Sequence, residues 1–196
     1  MYETEGVSSQ DAILPYMNFP KFPNYHVAVL WIYLLVLLSV VTQIPHVLVY
    51  EPSISPPALF ITGATLLCLF FFVLFFRKGK DYPIHGEAPF IFCAIAYAFA
   101  FAIPEEILFR GITQGLVLSS FTPILSILLS SFIFGLAHIL NSTKGVGPMN
   151  WNWQLVGVSF LGGIPLGTLF LLTGSLFLPT ILHAVFLLVF QIFLSN

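Results

Sequence analysis

Long apolar runs separated by short polar intervals organise the chain from about residue 26 onward. A membrane-spanning helix needs about 20 mainly apolar residues. Six runs reach that length, at 26–50, 57–76, 88–119, 121–140, 152–172 and 175–194. Irregular backbone cannot face lipid, so each is predicted to be helical. The predicted fold is an all-α, polytopic transmembrane helix bundle. The second run is the clearest, since Pro57 to Phe76 carries no charge and is followed at once by Arg77, Lys78, Lys80 and Asp81. The third is too long for an upright span, so tilt or a kink is expected, with Pro104 as the kink position. No internal repeat is visible. Residues 1–24 hold Glu3, Glu5 and Asp11 and lack a basic, then apolar, leader; they read as a polar N-terminal tail rather than a removable signal.

Composition sharpens this picture. The chain is 58% hydrophobic and 7% charged, whereas a soluble domain carries about 25% charged residues. Lipid must therefore meet most of its exterior. A net charge of −2 provides no basic surface for nucleic acid, and that class of partner is excluded. Cys68 and Cys93 sit in separate apolar runs, without the spacing of a metal or redox motif, and read as packing residues. Lys21, Arg77, Lys78, Lys80 and Lys144 all fall on one side of a six-span topology, and the loops near 51–56, 120 and 173 carry no Lys or Arg. The positive-inside rule makes the cationic side, with both termini, cytoplasmic. The expected location is a bacterial inner (plasma) membrane. Trp151 and Trp153, at the start of the fifth run, fit an interfacial aromatic belt.

Five ionisable residues stand where lipid would penalise them: Glu105, Glu106 and Arg110 in the third run, His138 in the fourth and His183 in the sixth. A single Asp, Lys or Arg at the centre of a span costs at least about 2.5 kcal/mol on insertion scales, so such residues must face one another or a wet cavity. Glu106 and Arg110 are four apart and share a helix face, where they can pair. Glu105 is rotated about 100° from Glu106 and is left for acid–base work. Around a hairpin turn near Ser120, Glu105 and His138 come within about 5 Å of the same depth at 1.5 Å per residue. His183 follows the turn near Gly174 more closely. It reaches a comparable depth if Ser175 to Pro179 run extended at about 3.3 Å each. All five residues can then share one polar layer.

The same residues carry a family likeness. Glu105-Glu106-Ile107-Leu108-Phe109-Arg110-Gly111 reads EExxxRG, Phe134 to His138 reads FxxxH, and Leu178 to His183 places a histidine early in the last core helix. In this order and spacing the pattern resembles the CPBP family, which contains the type II CAAX prenyl endopeptidases and the bacteriocin-processing and self-immunity (Abi) proteins. The likeness covers about residues 88–190, and it divides the chain into a polar tail (1–24), two accessory spans (25–87) and a catalytic membrane domain with a four-helix core (88–194). It implies an intramembrane endopeptidase acting on a peptide or protein substrate, lipidated or not, among membrane lipids. By the resemblance Glu105 activates a water with help from His138, Glu106 and Arg110 hold the site together, and His183 helps stabilise the oxyanion. Two histidines and a glutamate would also suffice for zinc with one open position. The chain lacks the paired-histidine HExxH helix, however, so a metal-free, glutamate-type hydrolase is favoured and no cofactor is expected.

One position departs from the family pattern. The third motif is usually HxxxN, with an asparagine amide available to the oxyanion, and here Leu187 stands in that place. Loss of one oxyanion donor costs roughly 10²–10³ in rate. Either another donor substitutes, Asn141 or Gln114, or the protein is a weak or inactive member that acts as a scaffold or immunity factor. A small proton-coupled transporter would explain buried Glu and His but not the order of the motifs. The 141–150 loop, next to His138 and rich in Gly, is expected to form part of an entrance on the cytoplasmic side.

Overall fold

The computed structural model describes residues 54–78, 87–139 and 151–193. Helix starts follow from capping chemistry. The Ser55 hydroxyl accepts the Ala58 N–H at 3.4 Å and opens α1 (Pro56–Arg77), whose first proline has no N–H to leave unpaired. α2 (Ala88–Glu106) runs without a break into a π-helical segment (Ile107–Gln114) and then α3 (Gly115–Ser120). Thr122 caps α4 (Pro123–Ala137), and Asn152 caps α5 (Trp153–Thr173) by accepting the Leu155 N–H at 3.0 Å. α5 stops at Gly174, whose left-handed φ of 63° a side chain would disfavour. α6 (Phe177–Phe193) follows directly.

The fold is all-helical, as expected. α1 (Pro56–Phe75), the α2–π–α3 rod (Phe90–Ser120) and α5 are long and apolar enough to cross a membrane by length and composition. α4 and α6, at 15 and 17 residues, are apolar but shorter. The first predicted span, 26–50, lies outside the described residues. α1 is apolar all round and buries Ala58 against Leu166, Leu169 and Leu182. Large apolar side chains cover the exterior, with Phe92 of α2 75% exposed and Phe60, Phe75 and Ile124 similarly open. No soluble protein leaves such a surface to water, and lipid is the solvent that accepts it.

The irregularity expected at Pro104 falls about one turn later. Pro104 is buried within α2, and the helix widens at Ile107, whose N–H is shared between the carbonyls of Ile103 and Pro104. Within the widened segment the Thr113 hydroxyl donates to the Leu108 carbonyl, five residues back, at 2.9 Å. Proline disturbs the ladder on its N-terminal side, whereas the widening lies on the other side, in the stretch that carries Arg110. π segments of this kind concentrate at functional sites.

α4 packs most extensively on α5, and α2 on α6. Small residues bring the first pair together. A Cβ on Gly135 would meet the Val156 carbonyl oxygen at 2.7 Å, and one on Gly163 would meet the Ser131 Cβ at 2.9 Å. Both contacts sit in the α4–α5 crossing, where small residues let membrane helices approach closely. At the far end Arg77 donates from Nη1 to the Phe193 carbonyl at 2.8 Å and caps α6. Gly135→Ala is expected to force the helices apart and cost about 1–3 kcal/mol, read as a lower melting temperature in detergent. Gly157→Ala, where an added Cβ meets nothing within 4 Å, should leave melting unchanged or raise it.

Candidate active site

Five ionisable side chains from three rods converge. Glu106 lies at the end of α2, is fully buried, and places Oε2 3.2 Å from Arg110 Nε one turn on. Its other oxygen, Oε1, accepts from His183 Nδ1 at 2.9 Å. Glu105 keeps 14% of its side chain exposed and directs Oε2 toward both histidines, 3.6 Å from His183 Nε2 and 3.9 Å from His138 Nε2. Two adjacent carboxylates thus occupy different environments. Glu106 is sealed and held by a cation and an imidazole. Glu105 keeps an exposed edge, with both Nε2 atoms beyond direct hydrogen-bond length of its Oε2, so that carboxylate oxygen has no short partner among them.

The helix ends explain how the histidines are held. α4 stops at Ala137 in a tightened last turn, where the Gly135 and Leu136 carbonyls accept from the His138 and Ile139 N–H groups at 3.0 Å. His138, at the C-cap, folds back and donates from Nδ1 to the Phe134 carbonyl at 2.8 Å. A carbonyl only accepts, so Nδ1 carries the proton and Nε2 is turned to Glu105. His183 is fixed in the same sense, with Nδ1–H on the carboxylate of Glu106. Carboxylate support of the far nitrogen is a common way to set a histidine tautomer.

His183 arrives by a route other than the expected one. Ser175 to Pro179 are not extended: α6 begins at Phe177, Pro179 sits in its first turn, and Thr180 N–H already bonds the Leu176 carbonyl at 3.0 Å. Proline fits there because first-turn N–H groups lack helix partners anyway.

Phe134 joins the cluster in a way the sequence motif did not specify. Its ring meets His138 edge-on at 4.7 Å, His183 at 5.5 Å and Phe109 at 5.1 Å between centroids. The Arg110 guanidinium carbon lies 4.7 Å from its centre. One aromatic ring therefore braces the cation and both imidazoles. The i,i+4 spacing of Phe134 and His138 is the signal that places them on one face.

Of the two substitute donors considered for the oxyanion, Gln114 is committed elsewhere. It is buried, donates from Nε2 to the Gly167 carbonyl at 2.9 Å and accepts from Ser130 at 3.3 Å, so it clamps the π segment to α4 and α5. Asn141 and the 141–150 loop lie outside the described residues. Leu187 packs with Phe99 and Leu188 against Ala98, Ala102 and Ala184 and contributes nothing polar.

A family model for type II CAAX prenyl endopeptidase Rce1-like proteins matches residues 87–189, more than half of the chain. The chain belongs to this Rce1-like family. The match spans all three motifs and bears out the resemblance drawn from them. Membership implies a protease of the integral membrane, with a peptide or protein as its substrate. No curated protein and no solved structure matches the chain. As for zinc, the three inward-facing atoms of this Rce1-like protein are the right donor types, but the 3.6 and 3.9 Å separations exceed the roughly 3.3 Å between neighbouring ligands of a tetrahedral ion with bonds near 2.0 Å. As arranged here, the residues do not fit the ion.

Proposed function

We propose that this Rce1-like protein is an intramembrane endopeptidase of the glutamate type, in which Glu105 activates water. One observation carries the reading: Glu105 alone of the two carboxylates keeps an exposed edge, and its Oε2 faces the Nε2 atoms of both histidines. A water bound beside Glu105 Oε2 and His138 Nε2 gives its proton to the carboxylate as its oxygen bonds the scissile carbonyl carbon. The carbonyl π electrons move to oxygen and form the tetrahedral oxyanion. Glu105 then returns the proton to the amide nitrogen, the C–N bond breaks, and acid and amine products leave. Glu106 and Arg110 do not touch the substrate in this scheme; they hold His183 in place. The favoured substrate is a CAAX-type C-terminal peptide carrying a prenyl chain, with an unmodified leader peptide as the alternative. Positive charge near residues 77–80 and 144 supports cytoplasmic termini.

The test is cleavage by the purified protein in liposomes of two fluorogenic peptides, one with an S-farnesyl cysteine three residues before its C-terminus and one unmodified. Cleavage of the farnesylated peptide that persists in 1,10-phenanthroline is expected. Cleavage of neither peptide would overturn the reading, and loss with phenanthroline that added zinc restores would overturn its glutamate-type mechanism. Leu187 supports a second reading, a non-catalytic scaffold or immunity factor. That reading expects Glu105→Gln to leave the cellular phenotype intact.

A further inference from the structure

The catalytic cluster is rich in acceptors. Glu105 Oε2 and two imidazole Nε2 atoms face one another, and with Nδ1 of each ring already donating, neither Nε2 is a donor unless that ring carries a second proton. A tetrahedral oxyanion needs preorganised donors, and Leu187 supplies none. The rest of α6 does hold one.

Threonines in these helices spend their hydroxyls locally. Thr62, Thr65, Thr168 and Thr173 donate to the carbonyl four residues back, Thr113 donates five back, and Thr122 accepts as a cap. Thr180 departs from this habit. Its hydroxyl is buried, with the residue 3% exposed, and has no hydrogen-bond partner among the described residues. An unpaired buried hydroxyl is costly and is rarely kept without a use. Ser131 also has an unpartnered hydroxyl, but it is wedged against Gly163 in the α4–α5 crossing. The terminal nitrogens of Arg110 lack acceptors too, yet that side chain is held on Glu106 and the face of Phe134.

Helix geometry puts Thr180 beside the site. Positions 180 and 187 are seven apart, about 20° short of two full turns, so they lie on one stripe of α6, and His183, one turn on from Thr180, lies about 60° to the side of it. Ala184 and Leu187 show that this stripe faces α2. Helical side chains lean toward the N-terminus of their own helix, so the His183 ring lies over the turn that carries Thr180 rather than the one that carries Leu187.

We propose that Thr180 is a catalytic residue whose Oγ1–H donates to the oxyanion, taking up from the N-terminal side of His183 the task for which Leu187 has no group. The inference rests on the endopeptidase reading above. The hydroxyl only donates a hydrogen bond; no proton is lost and no covalent bond to it forms.

The test compares wild type, Thr180→Val, Thr180→Ser and Glu105→Gln on the farnesylated peptide, with melting measured in parallel. Valine keeps the shape and removes the donor. For Thr180→Val, kcat is expected to fall on the order of 10²-fold with KM within about twofold, while the melting temperature stays level or rises because an unpaired buried hydroxyl is gone. Thr180→Ser should recover most of kcat. Unchanged kcat in Thr180→Val, a rise confined to KM, or a fall in melting temperature that serine does not reverse would each overturn the role of Thr180. Full activity in Glu105→Gln would instead overturn the endopeptidase mechanism itself, so the two failures are told apart.

Discussion

Glu105→Gln is expected to lower peptide cleavage by about 10²–10⁴-fold while the protein still inserts and melts near the wild-type temperature. The range is that of a positioned general base. The substitution preserves the size of the side chain and keeps an oxygen facing the histidines. It removes the group that accepts the proton of the attacking water. Folding should survive because Glu105 is the carboxylate with an exposed edge and is not the one bonded to Arg110. The measurement is initial cleavage rate per folded molecule, with folding checked by melting. Retained cleavage would remove Glu105 as the base, and collapse of the fold would mean that its part is structural.

The polar layer was legible because the bilayer makes ionisable residues conspicuous. Few charges lie in the runs at all, so Glu105, Glu106, Arg110, His138 and His183 declared themselves by position, and the i,i+4 spacing of Glu106 and Arg110 predicted their pairing. The all-helical fold followed from the apolar runs alone. Other features left no trace in the pattern. The π segment at 107–114 reads as ordinary helix, since widening by one residue depends on packing rather than on residue type. The extended stretch considered for Ser175 to Pro179 is instead mostly helix, because a proline in a first turn breaks nothing. Gln114, an amide within a span, offers a substitute donor by residue type alone. Its partners, Gly167 and Ser130, come from other helices, and no local spacing reveals them. Thr180 stayed hidden for the opposite reason: span threonines ordinarily bond their own helix, so its free hydroxyl is visible only in three dimensions.

Arg110→Met should have the largest effect on stability, about 3–5 kcal/mol, the cost of leaving one charge of a buried pair without its partner. Glu106 and Arg110 are both inaccessible, and no other cation of the described residues touches Glu106 apart from a protonated His183. Methionine fills much of the arginine volume and keeps contact with Phe134, so the loss isolates the charge from the packing. The double variant Arg110→Met, Glu106→Gln should recover much of the stability, because a neutral amide in place of the carboxylate removes the stranded charge and still offers an oxygen to His183 Nδ1–H. Activity should follow a different order. With the carboxylate gone, His183 is held by a weaker neutral hydrogen bond, so the double variant is expected to melt closer to wild type yet cleave more slowly. Melting and cleavage measured on the three proteins decide this. If both single and double variants melt alike, the pair is not what holds the site. If the double variant cleaves at the wild-type rate, the charge on Glu106 serves stability alone and His183 needs only an acceptor behind it.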